Sequence, residues 1–252
     1  MATEKHSPLD QFKIQSYLDL EVAGYDLSFT NSSLFMLLSV ALVTLFMTVG
    51  MSKRSMIPGR WQSMAEISYE FIASMLKENV GNEGRKFFPF LFTIFMFILF
   101  SNILGLIPFS FTATSHIAVT FALALVVFIM MVAVGFIKHG LGFLKFFAPS
   151  GIPAWLYPLL IPTEIISFLA RPVSLSIRLA AAMTAGHILL KVCAGFIIML
   201  GSAGIFGAIA GVAIPLPILV ALIGLELFVA FLQAYIFAIL TSFYLHDAIH
   251  MH

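Results

Sequence analysis

Residues 161–200 read IPTEIISFLARPVSLSIRLAAAMTAGHILLKVCAGFIIML. As a helix at about 1.5 Å per residue, this stretch would run about 60 Å, twice the membrane hydrocarbon core of about 30 Å. Division into two crossings fails, because Ile161–Arg171 is too short to span. The segment must therefore tilt far beyond the usual angle or extend past the core. A helix lying mostly in the membrane plane against protein partners meets the constraint best. Pro162 and Pro172 are placed to bend it. A second long apolar stretch, about 212–245, follows the glycine-rich turn Gly201–Gly211 and has the same excess of length. The expectation is a long, strongly tilted hairpin over 161–246.

The rest of the 252-residue chain agrees with a membrane setting. Hydrophobic types make up 61% and charged types 10%, against roughly 45–50% and about 25% in soluble domains. Mean hydropathy is +1.05. A soluble globule could not hide that much apolar surface, so a cytosolic enzyme and a disordered chain are excluded. A net charge of +1 offers no footprint for nucleic acid. The lone Cys193 excludes a disulfide framework and a cysteine-based metal site.

Of the 25 charged residues, 17 lie in 1–86. Residues 1–30 are polar and net acidic, and lack the basic lead of a signal peptide. Ser33–Met51, Phe87–Phe109 and Ile117–Ile137 each suit one crossing. Lys53, Arg54 and Arg60 follow the first, and Lys138 and Lys145 follow the third, with no acid beside them. The positive-inside rule makes both loops cytoplasmic and places the N-terminus outside and the C-terminus inside. Trp61–Val80 is too polar to span. Trp61, Met64, Ala65, Phe71, Ile72 and Met75 fall on one side of it, so an interfacial amphipathic helix and a solvated helix both fit. The fold class is all-α polytopic membrane protein: about five membrane helices, one amphipathic helix and the long hairpin. The expected organisation is a polar segment, 1–30, and a single membrane domain, 31–252.

Within the hairpin, Glu164, Arg171, Arg178, Lys191 and Glu226 are charged, and His187 and Gln233 join them. A charge at bilayer depth costs several kcal/mol, so such residues are retained for a reason. Arg178 cannot escape by losing its proton. It is either a fixed positive charge beside an ion path or half of an ion pair with Glu226. Glu164, Arg171 and Arg178 repeat every seven residues and share a helix face, as do Glu226 and Gln233. His187 lies nine residues outward of Arg178, and Glu226 seven outward of Gln233. If Gln233 is level with Arg178, then His187 and Glu226 are level with each other. The pattern is an imidazole and a carboxylate on the outer side, arginine at mid-depth and the Glu164 carboxylate on the inner side. It suits two proton half-paths separated by a positive barrier. Ala180, Ala181, Ala182, Ala185 and Gly186 permit close approach, either of a sliding partner helix or of the chain's own spans. Lys191 either snorkels to the interface or pairs with Glu226. Arg171 anchors the inner half of the helix, Asn102 suits a helix–helix hydrogen bond, and His246 and Asp247 read as a solvated helix end.

At Ala170-Arg171-Pro172-Val173-Ser174-Leu175-Ser176-Ile177-Arg178-Leu179 and Phe231-Leu232-Gln233-Ala234-Tyr235-Ile236-Phe237 the chain resembles subunit a of the F-type ATP synthase membrane sector. Ser101-Asn102-Ile103-Leu104-Gly105-Leu106-Ile107-Pro108 and Thr114-Ser115-His116 also fit, and the resemblance covers roughly 31–246 in order. It implies that Arg178 is the essential arginine facing the carboxylates of the rotating c-ring, with Gln233 beside it. It implies as partners the c-ring, peripheral-stalk b-type subunits and the remaining subunits, which hold the ATP chemistry, and no cofactor of its own. A bacterial inner membrane is the implied location. Many bacterial members carry Asn where this chain has Ala182, Glu at His187 and His at Glu226, so the acid–imidazole pair is kept with its members exchanged. Protons are expected over sodium, because a His–Glu pair suits proton relay. An autonomous proton-coupled secondary transporter is the alternative, but the sequence shows no convincing internal repeat. A haem-binding subunit lacks its second buried histidine, and no phosphate-binding glycine loop occurs.

Overall fold

The computed structural model describes residues 14–18, 21–22, 25–26, 28–52, 55–107, 110–140, 142–143, 156–202, 213 and 215–250. The expected basic pair Lys53–Arg54, Pro108, Lys145 and most of the Gly201–Gly211 turn lie outside the described residues. The chain opens with four short strands: β1 (Ser16–Leu18), β2 (Glu21–Val22), β3 (Tyr25–Asp26) and β4 (Phe29–Thr30). β1 pairs antiparallel with β4, and β2 with β3. They were not apparent in the polar composition of this region, where the hydrophobic alternation that marks longer strands has no room to develop.

Among the described residues six α-helices follow: α1 (Asn31–Gly50), α2 (Arg60–Val80), α3 (Phe88–Gly105), α4 (Ile117–His139), α5 (Tyr157–Gly201) and α6 (Pro215–Ile249). Thr30 caps α1, its hydroxyl accepting the Ser33 N–H at 3.4 Å. α4 ends on Lys138 and His139, cations suited to the negative end of a helix. All but α2 belong to the five segments long and apolar enough to cross a membrane, so the all-α polytopic class holds. α5 is one 45-residue helix with Pro162 and Pro172 inside it. At about 1.5 Å per residue it is about 67 Å long. It starts four residues before the expected Ile161, because Tyr157, Leu159 and Leu160 are themselves apolar. α3 stops at Gly105 rather than Phe109, its end tightened by Leu106 and Ile107 N–H groups donating to the carbonyls of Ile103 and Leu104.

The fold divides into two units of contact, each drawing on several helices. The first takes Met1–Val43, Phe97–His116 and Ala180–Ala234; the second takes Thr44–Met96, Ile117–Leu179 and Tyr235–His252. In the first, Ser101 donates to the Ser39 hydroxyl at 3.0 Å, a buried link between α3 and α1. In the second, Met131, Phe143, Phe168 and Ala248 form a core cluster with Phe128 and Tyr244 against it.

The second unit corrects the reading of α2. Its buried face is Gln62, Ala65, Ile72, Met75, Leu76 and Val80. Trp61 and Met64, expected on that face, are 62% and 53% exposed. Apolar residues surround much of this helix, so spacing alone did not tell which stripe packs inward. Phe71 does turn inward, its ring tilted against Phe95 and Tyr235 at 5.9 and 5.5 Å.

Candidate functional site

The first unit brings two of the expected site residues together. His187 on α5 and Glu226 on α6 are both buried, at 7% and 5% exposure. His187 Nδ1 lies 3.2 Å from Glu226 Oε1. The depth comparison made from sequence is thus borne out for this pair. The distance is short enough for an ion pair, but the approach lacks hydrogen-bond direction, and both Glu226 oxygens are buried without a hydrogen-bond partner. The other ring nitrogen, Nε2, meets the Thr112 hydroxyl at 2.8 Å. That hydroxyl also reaches the Gly105 carbonyl at 3.4 Å. An imidazole bonded at Nε2 and facing a carboxylate at Nδ1 can change tautomer as the neighbouring acid gains or loses its proton.

Space for the carboxylate comes from Gly186. A Cβ there would sit 2.7 Å from Glu226 Oε1, closer than side chains tolerate. A small cavity of about 190 Å³ opens beside the carboxylate, lined by Ala182, Ala185, Gly186, Leu189, Leu222 and Glu226 among others. Part of the small-residue run therefore serves internal packing: Gly186 makes room for Glu226, and Ala180 is buried, while Ala181 and Ala185 remain exposed. Neither Thr112 nor Gly186 stood out as a functional residue in the sequence. Thr112 is an uncharged residue in a short turn, and Gly186 is one of several small residues in its run.

Asn102 is fully buried on α3. Its Nδ2 donates to the Ala230 carbonyl at 3.1 Å, and its Oδ1 accepts from Thr114 at 2.7 Å. It ties α3 to α6 and to the turn before α4, as expected of a helix–helix hydrogen bond. Thr184 of α5 donates to the Ser115 carbonyl of the same turn at 3.2 Å. His116 follows, its ring stacked on Phe111 at 4.9 Å. Burial lowers the His116 pKa from its ordinary 6.5, favouring the neutral imidazole. Lys191 is half-buried one turn beyond His187, and Gln233 is half-buried two turns beyond Glu226.

The second unit holds the two arginines, and it treats them differently. Arg171 donates from Nη1 to Asp247 Oδ2 at 2.9 Å. Its guanidinium lies 5.7 Å from the Phe168 ring centre and 5.2 Å from that of Tyr244. The anchoring reading of Arg171 is supported. The reading of His246 and Asp247 as a solvated end is corrected. Asp247 is engaged by Arg171, and His246 Nδ1 is buried. A charge seven residues before Arg178 explains why: Asp247 neutralises it across the helix pair. Arg178 is exposed, and its guanidinium reaches only the Ser174 hydroxyl, at 3.4 Å. Among the described residues it makes no ion pair, so the suggested pairing with Glu226 is replaced by the His187–Glu226 contact. Glu164, half-buried on α5, likewise makes no ion pair among the described residues. No group of three or more His, Cys, Asp or Glu among them could hold a metal.

Apolar helices that enclose a buried imidazole–carboxylate pair, and leave an unneutralised arginine in the middle of a spanning helix, define a polytopic ion-translocating membrane protein. Comparison with known proteins gives the family. A family model described as ATP synthase A chain matches residues 33–246. Proteins named ATP synthase subunit a are 56% identical over 250 residues in Chelativorans sp. (strain BNC1), covering 99% of both chains. The identity is 54% in Paramagnetospirillum magneticum, covering 98% of this chain and 99% of that one. In Acidiphilium cryptum it is 57%, covering 91% of each. The chain belongs to the ATP synthase subunit a family.

Proposed function

We propose that Arg178 of this proton-translocating stator subunit separates two half-paths that lead to and from the carboxylates of a c-ring. Membership of the family makes the chain part of an F-type ATP synthase, with ATP chemistry in other subunits. The observation that carries the residue assignment is the state of Arg178: exposed, mid-helix and without a carboxylate partner among the described residues. Leaving a guanidinium so at bilayer depth costs several kcal/mol, and a ring carboxylate arriving from outside offsets that cost. The same charge lowers the pKa of the arriving acid and forces it to release its proton. His187 and Glu226, relayed through Thr112, form the titratable part of the outer path, and Glu164 serves the inner one. Gln233 sits beside the ring carboxylate's route as a neutral polar neighbour. Lys191 lies one turn outward of His187 and biases the outer mouth toward anions. The peripheral-stalk b-type subunits bind elsewhere on the chain, in a bacterial inner membrane.

The test is ATP-driven pumping by the assembled complex in inverted membrane vesicles. Arg178→Ala should abolish pumping while the complex still assembles, and Arg178→Lys should fail too, because an ammonium lacks the planar fork of the guanidinium. Normal coupled pumping by the alanine variant would overturn the proposal.

A further inference from the structure

A cleft beside the end of α2 contains none of the residues assigned to the proton path. α2 ends at Gly81, whose φ of +80° turns the backbone sharply. A short 3-10 turn, Asn82–Phe87, then leads into α3. Between these elements lies a cleft of about 550 Å³, lined by Tyr69, Lys77, Asn82, Arg85, Phe88 and Pro89 among others. Two of its lining side chains are cations, and no carboxylate lines it. Lys77 and Arg85 make no ion pair among the described residues. Glu83, the acid of the same turn, is already taken by Lys138. Asn82 adds an amide able to donate. Part of its wall is aromatic: Tyr69 and Phe88 both line it, their rings 4.4 Å apart, and Phe88 stacks on Phe92 of α3 at 5.5 Å.

We infer that this cleft binds the headgroup of an anionic phospholipid. The two cations want a compact anion with several acceptor oxygens, and a phosphodiester is one; Arg grips it through its fork and Lys as a point charge. The cleft is of ordinary ligand size, with room for phosphate and glycerol. Its aromatic wall continues into the first turns of α3, the start of an apolar span, where acyl chains can run. That end of the span adjoins Lys138, one of the basic residues that mark the cytoplasmic side, and the cytoplasmic leaflet is the one that carries anionic lipid. Free phosphate shares the headgroup's chemistry but gains nothing from the aromatic wall.

The intact complex, stripped of lipid in detergent, is titrated with phosphatidylglycerol, and bound lipid is counted by native mass spectrometry. The wild type is compared with the Lys77→Gln/Arg85→Gln double variant. Each cation is expected to contribute about fivefold, so the double variant should bind one lipid about twenty-five-fold more weakly. Phosphatidylcholine should not substitute, and inorganic phosphate at tens of millimolar should not displace the lipid. Equal retention by both proteins overturns the proposal. So does displacement by phosphate, which marks a plain anion site. Loss of a co-purifying subunit with an unchanged lipid count also overturns it, because the cleft then seats a protein partner.

Discussion

At the scale of single residues, Thr112 has the most to do for its size. Its one hydroxyl proton has two acceptors, the His187 Nε2 at 2.8 Å and the Gly105 carbonyl at 3.4 Å. When it points to Nε2, the imidazole proton sits on Nδ1 and faces the Glu226 carboxylate. When it points to Gly105, Nε2–H donates to the Thr112 oxygen and Nδ1 is free to accept from a protonated Glu226. One rotation thus matches the imidazole to either state of the acid. Thr112→Val keeps the shape and removes the switch. It should slow passive proton conduction through the membrane sector by about tenfold, the worth of one buried hydrogen bond, while Thr112→Ser restores most of it. Equal conduction by Val and Ser variants would make Thr112 mere packing. Glu226→Gln should be slower still. The His187→Glu/Glu226→His double exchange should regain part of what either single exchange loses if the pair acts as a unit. His187 and Glu226 were legible in the sequence because a titratable group in an apolar run is conspicuous and helix rise fixes its depth. Thr112 was not, because a neutral hydroxyl in a turn costs little wherever it lies. The Arg171–Asp247 pair was missed for another reason: Asp247 lies near the chain's end, where a charge is unremarkable until the helix bringing it to Arg171 is seen.

At the scale of elements, α5 was legible from length, and helix spacing put Ser174, Leu175, Ala181 and Ala185 on the Arg178 face; of these only Leu175 is turned inward and buried. Ser174, Arg178, Ala181 and Ala185 form an exposed stripe, spaced by three or four residues, whereas Ser176, Ala180 and His187 are buried. Large exposed apolar groups flank the stripe at Val173, Ile177 and Leu189. A stripe of small residues around a charge fits a neighbour that must slide, because deep interlocking of side chains would resist its rotation. Single cysteines at 174, 178, 181 and 185 should therefore cross-link to helices of the c-ring at mid-membrane, and cysteines at 176, 180 and 187 should do so weakly. A profile equal on all faces would remove α5 from the rotor surface. In α2 the helix was legible but its face was drawn too wide: spacing put Trp61 and Met64 on one side with Ala65, Ile72 and Met75, and packing buries only the latter three of these.

At the scale of the whole molecule, the count of crossings fixes where the loops lie. Among the described residues five segments are long and apolar enough to span. If each crosses once, residues before α1 and after α6 are on opposite sides of the membrane. The excess length of α5 and α6, 45 and 35 residues, is the only threat to that parity, because a helix lying wholly in the plane would not cross at all. The alternatives can be separated chemically. Cys193 is first replaced by Ser, which leaves no native thiol. Single cysteines are then placed at Ile14, Met56 and His250, all exposed positions. Position 56 lies in the loop with Lys53, Arg54 and Arg60 and no acid, so it should be cytoplasmic. A membrane-impermeant maleimide applied to intact cells, with the outer barrier permeabilised, should label Ile14→Cys and leave Met56→Cys and His250→Cys unlabelled. In inverted vesicles the pattern should reverse. Labelling of positions 14 and 250 from the same side would mean that an even number of helices crosses. One of the two long helices would then lie in the plane without spanning, and the outer and inner half-paths could not both open on the hairpin.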